Sequence, residues 1–503
     1  MPPIIDDRRR ALPALLAGCS AVAGGAAWWW YHRLGIVLSH YDTKGHLVVA
    51  RRVFDSLTPG WKQIGAVWLP LPHLLNMLPV QLDPLYRTGL SASALSMASL
   101  ALAVWAAARL VLRLTGSAAG ATVAALALAL NPNLLYLGTT PMTEPLLIGL
   151  LWLAVAETYD WVQSGADRVP SRLGWVLAAA AWTRYEAWPV IAALTVLAGL
   201  AAWRQGHALP GIGRRVWAIA RWPAVAAVIF LLNSWITVGA WFVSSGFFVP
   251  EPSLLHQPVH DVGLVLWGAR ALGGVTLTVL GLGGAALLIL GGLRARAEAA
   301  AWVALAPLAA AALPALAFFQ GHPFRIRYAV PLVAALTLTA GFGLGRIRRW
   351  PWAAAAIALG LILVEAPPLS PRAPMVLEAQ WDRPAAAARQ AVSACLGPAY
   401  RGELVVASMG SLAHYMQELS GEGLRLSDFI SEGTGVIWEL AMERGPATVA
   451  GWMLVDEQGE GGDVLAQRLR REPGFAAGMT PICEGGGVTL YRRAARPALA
   501  RAF

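Results

Sequence analysis

Long runs of Ala, Leu, Val and Trp recur along this chain, and they leave few options for its fold. An apolar run of about 20 residues crosses a bilayer as a helix. Within lipid every backbone amide must be satisfied inside its own element, so such runs are helical. Hydrophobic residues make up 57% of the 503 positions and charged residues only 14%, against about a quarter charged in a soluble domain. The runs predict helices near 11–31, 87–113, 117–130, 144–160, 173–183, 188–203, 222–240, 271–293, 299–319, 328–345 and 350–366. The expected fold class is an all-α polytopic membrane protein of about eleven transmembrane helices over residues 1–366, followed by a small α/β domain over 367–503. Runs 117–130 and 173–183 are short for a span, as distorted helices beside a cavity are.

A net charge of +10 would suit a polyanion, but the positions of the arginines argue otherwise. They cluster at alternate junctions: Arg8-Arg9-Arg10, Arg109 with Arg113, Arg168 with Arg172, Arg204 to Arg221, Arg294 with Arg296, and Arg346 with Arg348-Arg349. This positive-inside pattern places the N-terminus in the cytoplasm and accounts for the charge without nucleic acid. The run Leu12–Tyr31 is too long for a signal peptide and ends in an interfacial Trp28-Trp29-Trp30-Tyr31 anchor, so it reads as a retained helix of a plasma (inner) membrane protein. An odd number of helices then puts the tail on the periplasmic or extracellular side.

The tail begins with a stiff linker, Ala366-Pro367-Pro368-Leu369-Ser370-Pro371. Strands are expected at 404–408, 448–455 and 488–492, helices at 411–419 and 464–471, and a turn at Gly485-Gly486-Gly487. Cys395 and Cys483 both fall here; an oxidising compartment would allow a disulfide, and two separate buried thiols is the competing reading. Cys19 lies in the first helix, and no Cys/His metal spacing is present.

The polar residues of the membrane half gather in outer loops at 32–86, 241–262 and 320–327, and in turns at 131–143 and 184–187. In the first loop, Leu47, Ala50, Phe54 and Leu57 share one face of an amphipathic helix expected to lie along the membrane surface. Asp42, just ahead of it, is either a general base towards an acceptor hydroxyl or the helix N-cap. Glu144 opens a membrane helix, where the dipole favours a carboxylate and Thr140 or Thr143 could cap; at that depth a carboxylate also marks a site. Arg184 and Glu186, two apart, are expected either to face different partners or to form an interfacial ion pair beside a Trp188 anchor. Arg325 and Arg327, in the stretch His322 to Tyr328, break the positive-inside trend and offer phosphate-binding guanidinium forks, to a substrate or to ordinary anionic phospholipid. His256, His260 and Asp261 would suit a metal only on a helix that Pro258 opposes.

Taken in order, these features resemble the GT-C class of integral membrane glycosyltransferases. Within it the similarity is to the protein O-mannosyltransferase and aminoarabinose-transferase type of bacterial enzyme (glycosyltransferase family 39-like). The residues that carry it are Tyr41-Asp42 with Trp68-Leu69-Pro70-Leu71, Asn131-Pro132 with Glu144, Arg184-Tyr185-Glu186, and His322 to Tyr328 with Pro331, across roughly 11–366. The resemblance implies a polyprenyl-phosphate sugar donor and an inverting transfer to an acceptor hydroxyl on the outer face. It implies Asp42 as base and Glu144 as an acid of the same cavity, with Arg184, Glu186, His322, Arg325, Arg327 and Tyr328 binding donor phosphate or substrate; Lys62 of the first loop is a further candidate cation for the leaving phosphate. Asp42 is followed by Thr43 where the family pattern has a second acid, which weakens the base assignment and the case for a metal there. No nucleotide is needed, no cofactor is assigned, a divalent metal stays open, and the acceptor (protein, lipid or glycan) is not readable. A transporter or flippase of lipid-linked sugars, a glycan polymerase or ligase, and a non-catalytic membrane scaffold are the competing readings.

Overall fold

The computed structural model describes residues 7–243, 250–459 and 461–494, with side chains from residue 11 onward. The side chains of Arg8, Arg9 and Arg10, and part of the expected loop 241–262, lie outside what is described. All eleven apolar runs are helical: Asp7–Arg33, Leu90–Thr115, Ala118–Leu130, Glu144–Ser164, Ser171–Ala181, Ala187–Arg204, Leu209–Val238, Pro258–Arg294, Arg296–Phe319, Ile326–Gly345 and Pro351–Glu365. Eight are long and apolar enough to cross a membrane, and Ala118–Leu130, Ser171–Ala181 and Pro351–Glu365 are shorter. The chain is a multi-pass membrane protein. Its helices approach through small residues, which lets backbones touch. A Cβ on Gly284 would lie 1.8 Å from the Thr339 carbonyl oxygen.

The helix Pro258–Arg294 begins well before the expected residue 271, because Pro258 takes the first helical position, where its missing N–H is not needed. His256 stays outside the helix with a left-handed φ of 62°, and His260 and Asp261 fall in the first turn. The same helix breaks at Gly274, which adopts φ 82°. The groups freed by the break are taken up by side chains. The Leu272 carbonyl accepts from Asn131 and Asn133 at 2.9 and 2.8 Å, and the Thr276 N–H donates to Glu365 at 2.9 Å. Such satisfaction is what an interrupted helix at membrane depth requires.

The C-terminal domain holds one sheet with strands β1 (Val405–Ala407), β2 (Phe429–Ile430), β3 (Trp452–Asp456), β4 (Met479–Gly485) and β5 (Val488–Arg493), in the order β2-β1-β3-β5-β4. The first three are parallel and β5 runs antiparallel to both β3 and β4. β4 and β5 meet in the expected glycine turn, where Gly486 and Gly487 both take positive φ, as a two-residue hairpin demands. Cys395 and Cys483 form a disulfide that ties edge strand β4 to the helix Arg383–Ala399 across 88 residues. Replacing Cys395 by Ser is expected to cost about 2–5 kcal/mol, read as a lower unfolding temperature of the oxidised protein.

The first-loop helix, Tyr41–Arg51, does not lie on the membrane surface. It is buried on every side, with Leu47, Val48 and Ala50 sharing a core with Leu412, Tyr415 and Leu419 of the C-terminal domain. The sequence pattern showed one apolar face but not the second layer that covers the polar one. That layer is an ion network: Lys44 pairs with Glu418 at 2.6 Å, Glu418 with Arg389 at 2.9 Å, and Arg389 with Asp382 at 2.7 Å. A carboxylate removed from such a buried network leaves its cation uncompensated. Glu418→Gln is therefore expected to destabilise the protein by about 3 kcal/mol. Thermal unfolding in detergent, with the conservative Glu418→Asp beside it, measures this.

Candidate active site

The Tyr41–Arg51 helix is capped by His40, whose ring nitrogen accepts the Asp42 N–H at 3.2 Å. Asp42 is thus not the cap. It sits in the first turn, buried, with its carboxylate in contact with the guanidinium of Arg327, which is also buried. His40 completes the group, with Nε2 3.5 Å from Arg327 Nη1. Burial by itself would raise the Asp42 carboxyl, but the adjacent Arg327 guanidinium overrides it and holds the group well below the usual carboxylate range. Burial also pushes the rings of His40 and His46 down to about 3, helped at His40 by Arg327, so both are neutral. A depressed carboxylate stabilises the fold above its unfolded value and loses that contribution as pH falls through its folded value. The stability difference between wild type and Asp42→Asn is therefore expected to be flat from about pH 5 to 8 and to shrink below about pH 4. Denaturation of both proteins across pH measures it.

A second cluster lies at the N-terminal ends of the helices Glu144–Ser164 and Ala187–Arg204. Arg184 donates to Glu186 at 2.6 Å and to the Thr143 hydroxyl at 2.9 Å, and its Nη1 stands 3.1 Å from Glu144 Oε1. Arg184 and Glu186 therefore share one ion pair rather than facing different partners, because the turn before Ala187 folds one back on the other. Glu144 is fully buried, and its contact with Arg184 is an ion pair without hydrogen-bond alignment. Neither threonine caps its helix: Thr140 donates to the Leu137 carbonyl and Thr143 accepts from Arg184. The two clusters are electrostatically coupled, Arg327 to Glu144 and Arg184 to Arg327.

The remaining expected residues divide. His322 and Tyr328 meet at 3.4 Å across the turn that carries Arg325 and Arg327, and Arg325 lies within electrostatic range of His40. Lys62 lines a different pocket, a mostly apolar groove of about 800 Å³ between Leu57–Gln63 and Gly433–Leu440. Beside the core residues stands one the sequence did not single out, Glu378. Its Oε2 accepts the Ile326 N–H at 2.8 Å, immediately before Arg327. It arrives on the short helix Pro374–Glu378, anchored by the Met375 N–H to Asn133 at 2.9 Å. Asn133 is the residue that also holds the Leu272 carbonyl. Nothing local in Met375-Val376-Leu377-Glu378 signals this role. Among the described residues, no group of three or more His, Cys, Asp or Glu is arranged to hold a metal ion. Asp42, Glu144 and Glu186 are each engaged by an arginine instead.

No family model and no curated protein matches the sequence. Solved structures do match. The apo crystal structure of ArnT from Cupriavidus metallidurans aligns with a TM-score of 0.57 at 14% identity, over 95% of this chain and 97% of that one. The chain shares its fold with ArnT. The ArnT structure bound to undecaprenyl phosphate aligns over the same shares with a TM-score of 0.52 at 12% identity. The expected GT-C-like architecture is borne out, and the likeness to ArnT extends past residue 366 into the C-terminal sheet domain.

Proposed function

We propose that this protein is a membrane glycosyltransferase that moves a sugar from a polyprenyl-phosphate donor to an acceptor hydroxyl, with inversion, at the outer face of the inner membrane. One observation carries the reading: a carboxylate and a guanidinium, Asp42 and Arg327, buried against each other. Transfer needs both groups. The base takes the acceptor's hydroxyl proton, the acceptor oxygen attacks the anomeric carbon, and the bond from that carbon to the phosphate oxygen breaks. The lipid phosphate leaves with an added negative charge, which a preorganised guanidinium stabilises. Undecaprenyl phosphate in the ArnT structure supports a polyprenyl phosphate as the lipid carrier. The Cys395–Cys483 disulfide supports an oxidising compartment for the C-terminal domain.

The ion pair also orders the steps. While Arg327 holds Asp42, the carboxylate is a weak base. A donor phosphate competes for the guanidinium, and as Arg327 turns to it the Asp42 carboxyl rises towards the range where it accepts a proton. The base is therefore armed only when donor is present. Arg325 and Arg327 serve the phosphate, and Arg184 with Glu186 fixes Glu144 in the wall. The test is a panel of polyprenyl-phosphate sugars offered to the purified protein in nanodiscs, with Arg327→Ala beside wild type. Consumption of one donor by wild type, with donor affinity weakened about tenfold or more in Arg327→Ala, supports the reading. Equal donor affinity in the two proteins would remove Arg327 from the phosphate site.

A further inference from the structure

Buried polar groups nearly always have partners, and those that lack one call for an explanation. Around Arg327 several lack one among the described residues. Arg327 Nε is a buried donor with no hydrogen-bond acceptor among the described residues. Glu378 Oε1 is a buried acceptor with no donor, although its other oxygen is used by the Ile326 N–H. Both oxygens of Glu144 are likewise buried without a hydrogen bond, their one ion-pair contact to Arg184 being poorly aligned. These groups lie within electrostatic range of Glu378, which interacts with Arg327, Arg325 and Glu144, and Ile326, whose N–H it holds, is the residue before Arg327.

The mixture of unmet needs describes a ligand. Arg327 asks for an oxyanion. Glu378 and Glu144 ask for hydrogen-bond donors and, as carboxylates within electrostatic range of each other, disfavour an anion beside them. A molecule with a phosphate at one end and hydroxyls at the other answers all three, and a glycosyl phosphate is such a molecule. Holding Ile326 by itself would not require a carboxylate, since a neutral amide oxygen accepts the same N–H. Burial pushes the Glu378 carboxyl up, as expected of a group whose second oxygen is left without a donor.

We infer that Glu378 is a sugar-binding residue, its Oε1 accepting hydroxyl groups of the donor sugar while Arg327 binds the adjoining phosphate. The assignment rests on the donor class proposed above. It also gives the linker a function: the segment that joins the membrane helices to the C-terminal domain supplies part of the sugar subsite.

The test separates sugar from phosphate. Full-length wild type and Glu378→Gln in nanodiscs are titrated with bare undecaprenyl phosphate and with the polyprenyl-phosphate sugar that wild type binds best. Gln keeps the size of the side chain and an oxygen for the Ile326 N–H, so the variant is expected to unfold at the wild-type temperature. Bare lipid phosphate should bind Glu378→Gln at least as tightly as wild type, since one negative charge near the phosphate is gone, while the glycosylated lipid loses about tenfold or more in Glu378→Gln. Glu378→Asp, which keeps the charge on a shorter arm, should fall between. An equal loss for both lipids, or no loss for the glycosylated one, overturns the assignment and leaves the transferase reading standing. Failure of wild type to bind either lipid overturns the donor reading and this assignment with it.

Discussion

Asp42→Asn is expected to lower turnover by about 10²–10⁴-fold, the usual contribution of a positioned general base. Donor affinity should stay at the wild-type value or improve. The argument follows from the ion pair. Asn keeps the size of Asp but carries no charge, so it cannot accept the acceptor proton. It also no longer competes for Arg327, which becomes free to meet the donor phosphate. A purely structural role for Asp42 predicts a different pattern, in which donor affinity and stability fall together and turnover per bound donor does not. Steady-state kinetics with a separate donor titration distinguishes the two.

The second large effect concerns stability. Arg184 is the only cation in contact with Glu144 and Glu186 among the ion pairs of the described residues, and both carboxylates are almost wholly buried. Arg184→Met fills similar space and leaves two buried acids without a partner. The expected loss is about 3–5 kcal/mol, the range for breaking a buried pair from one side. Adding Glu144→Gln and Glu186→Gln to Arg184→Met should restore much of it, since neutral side chains remove the uncompensated charge. By contrast, Arg113 pairs with Asp160 near the opposite ends of the helices while 45% exposed. Removing that side chain should cost less than about 1 kcal/mol. Thermal unfolding of the variants in one detergent ranks them.

The membrane helices were legible in the sequence because lipid leaves a long apolar run one conformation. Their ends were less so. Pro258 argues against a helix interior but fits a helix start, and composition cannot tell which applies. In the sheet domain β1, β3 and β5 were readable from buried apolar runs. β2 is two residues long, and β4 carries Pro481 and Glu484 on an exposed edge, so neither shows the usual strand pattern.

At the site, the residue types could be read but their partners could not. Asp42 and Arg327 are 285 positions apart, and no local pattern joins them. Arg184 and Glu186 are two apart, yet the turn between them decides that they meet. Glu378 was invisible because its importance comes from where Asn133 pins the chain behind it, a contact across 242 positions.

The most direct measurement is the fate of a polyprenyl-phosphate sugar incubated with the purified protein and an acceptor-bearing membrane extract, followed by lipid analysis and by NMR of the anomeric centre in the product. The account predicts that wild type releases polyprenyl phosphate in step with a glycosylated product of inverted anomeric configuration, and that Asp42→Asn releases almost none. Release at equal rates by both proteins, or a product with retained configuration, would contradict it.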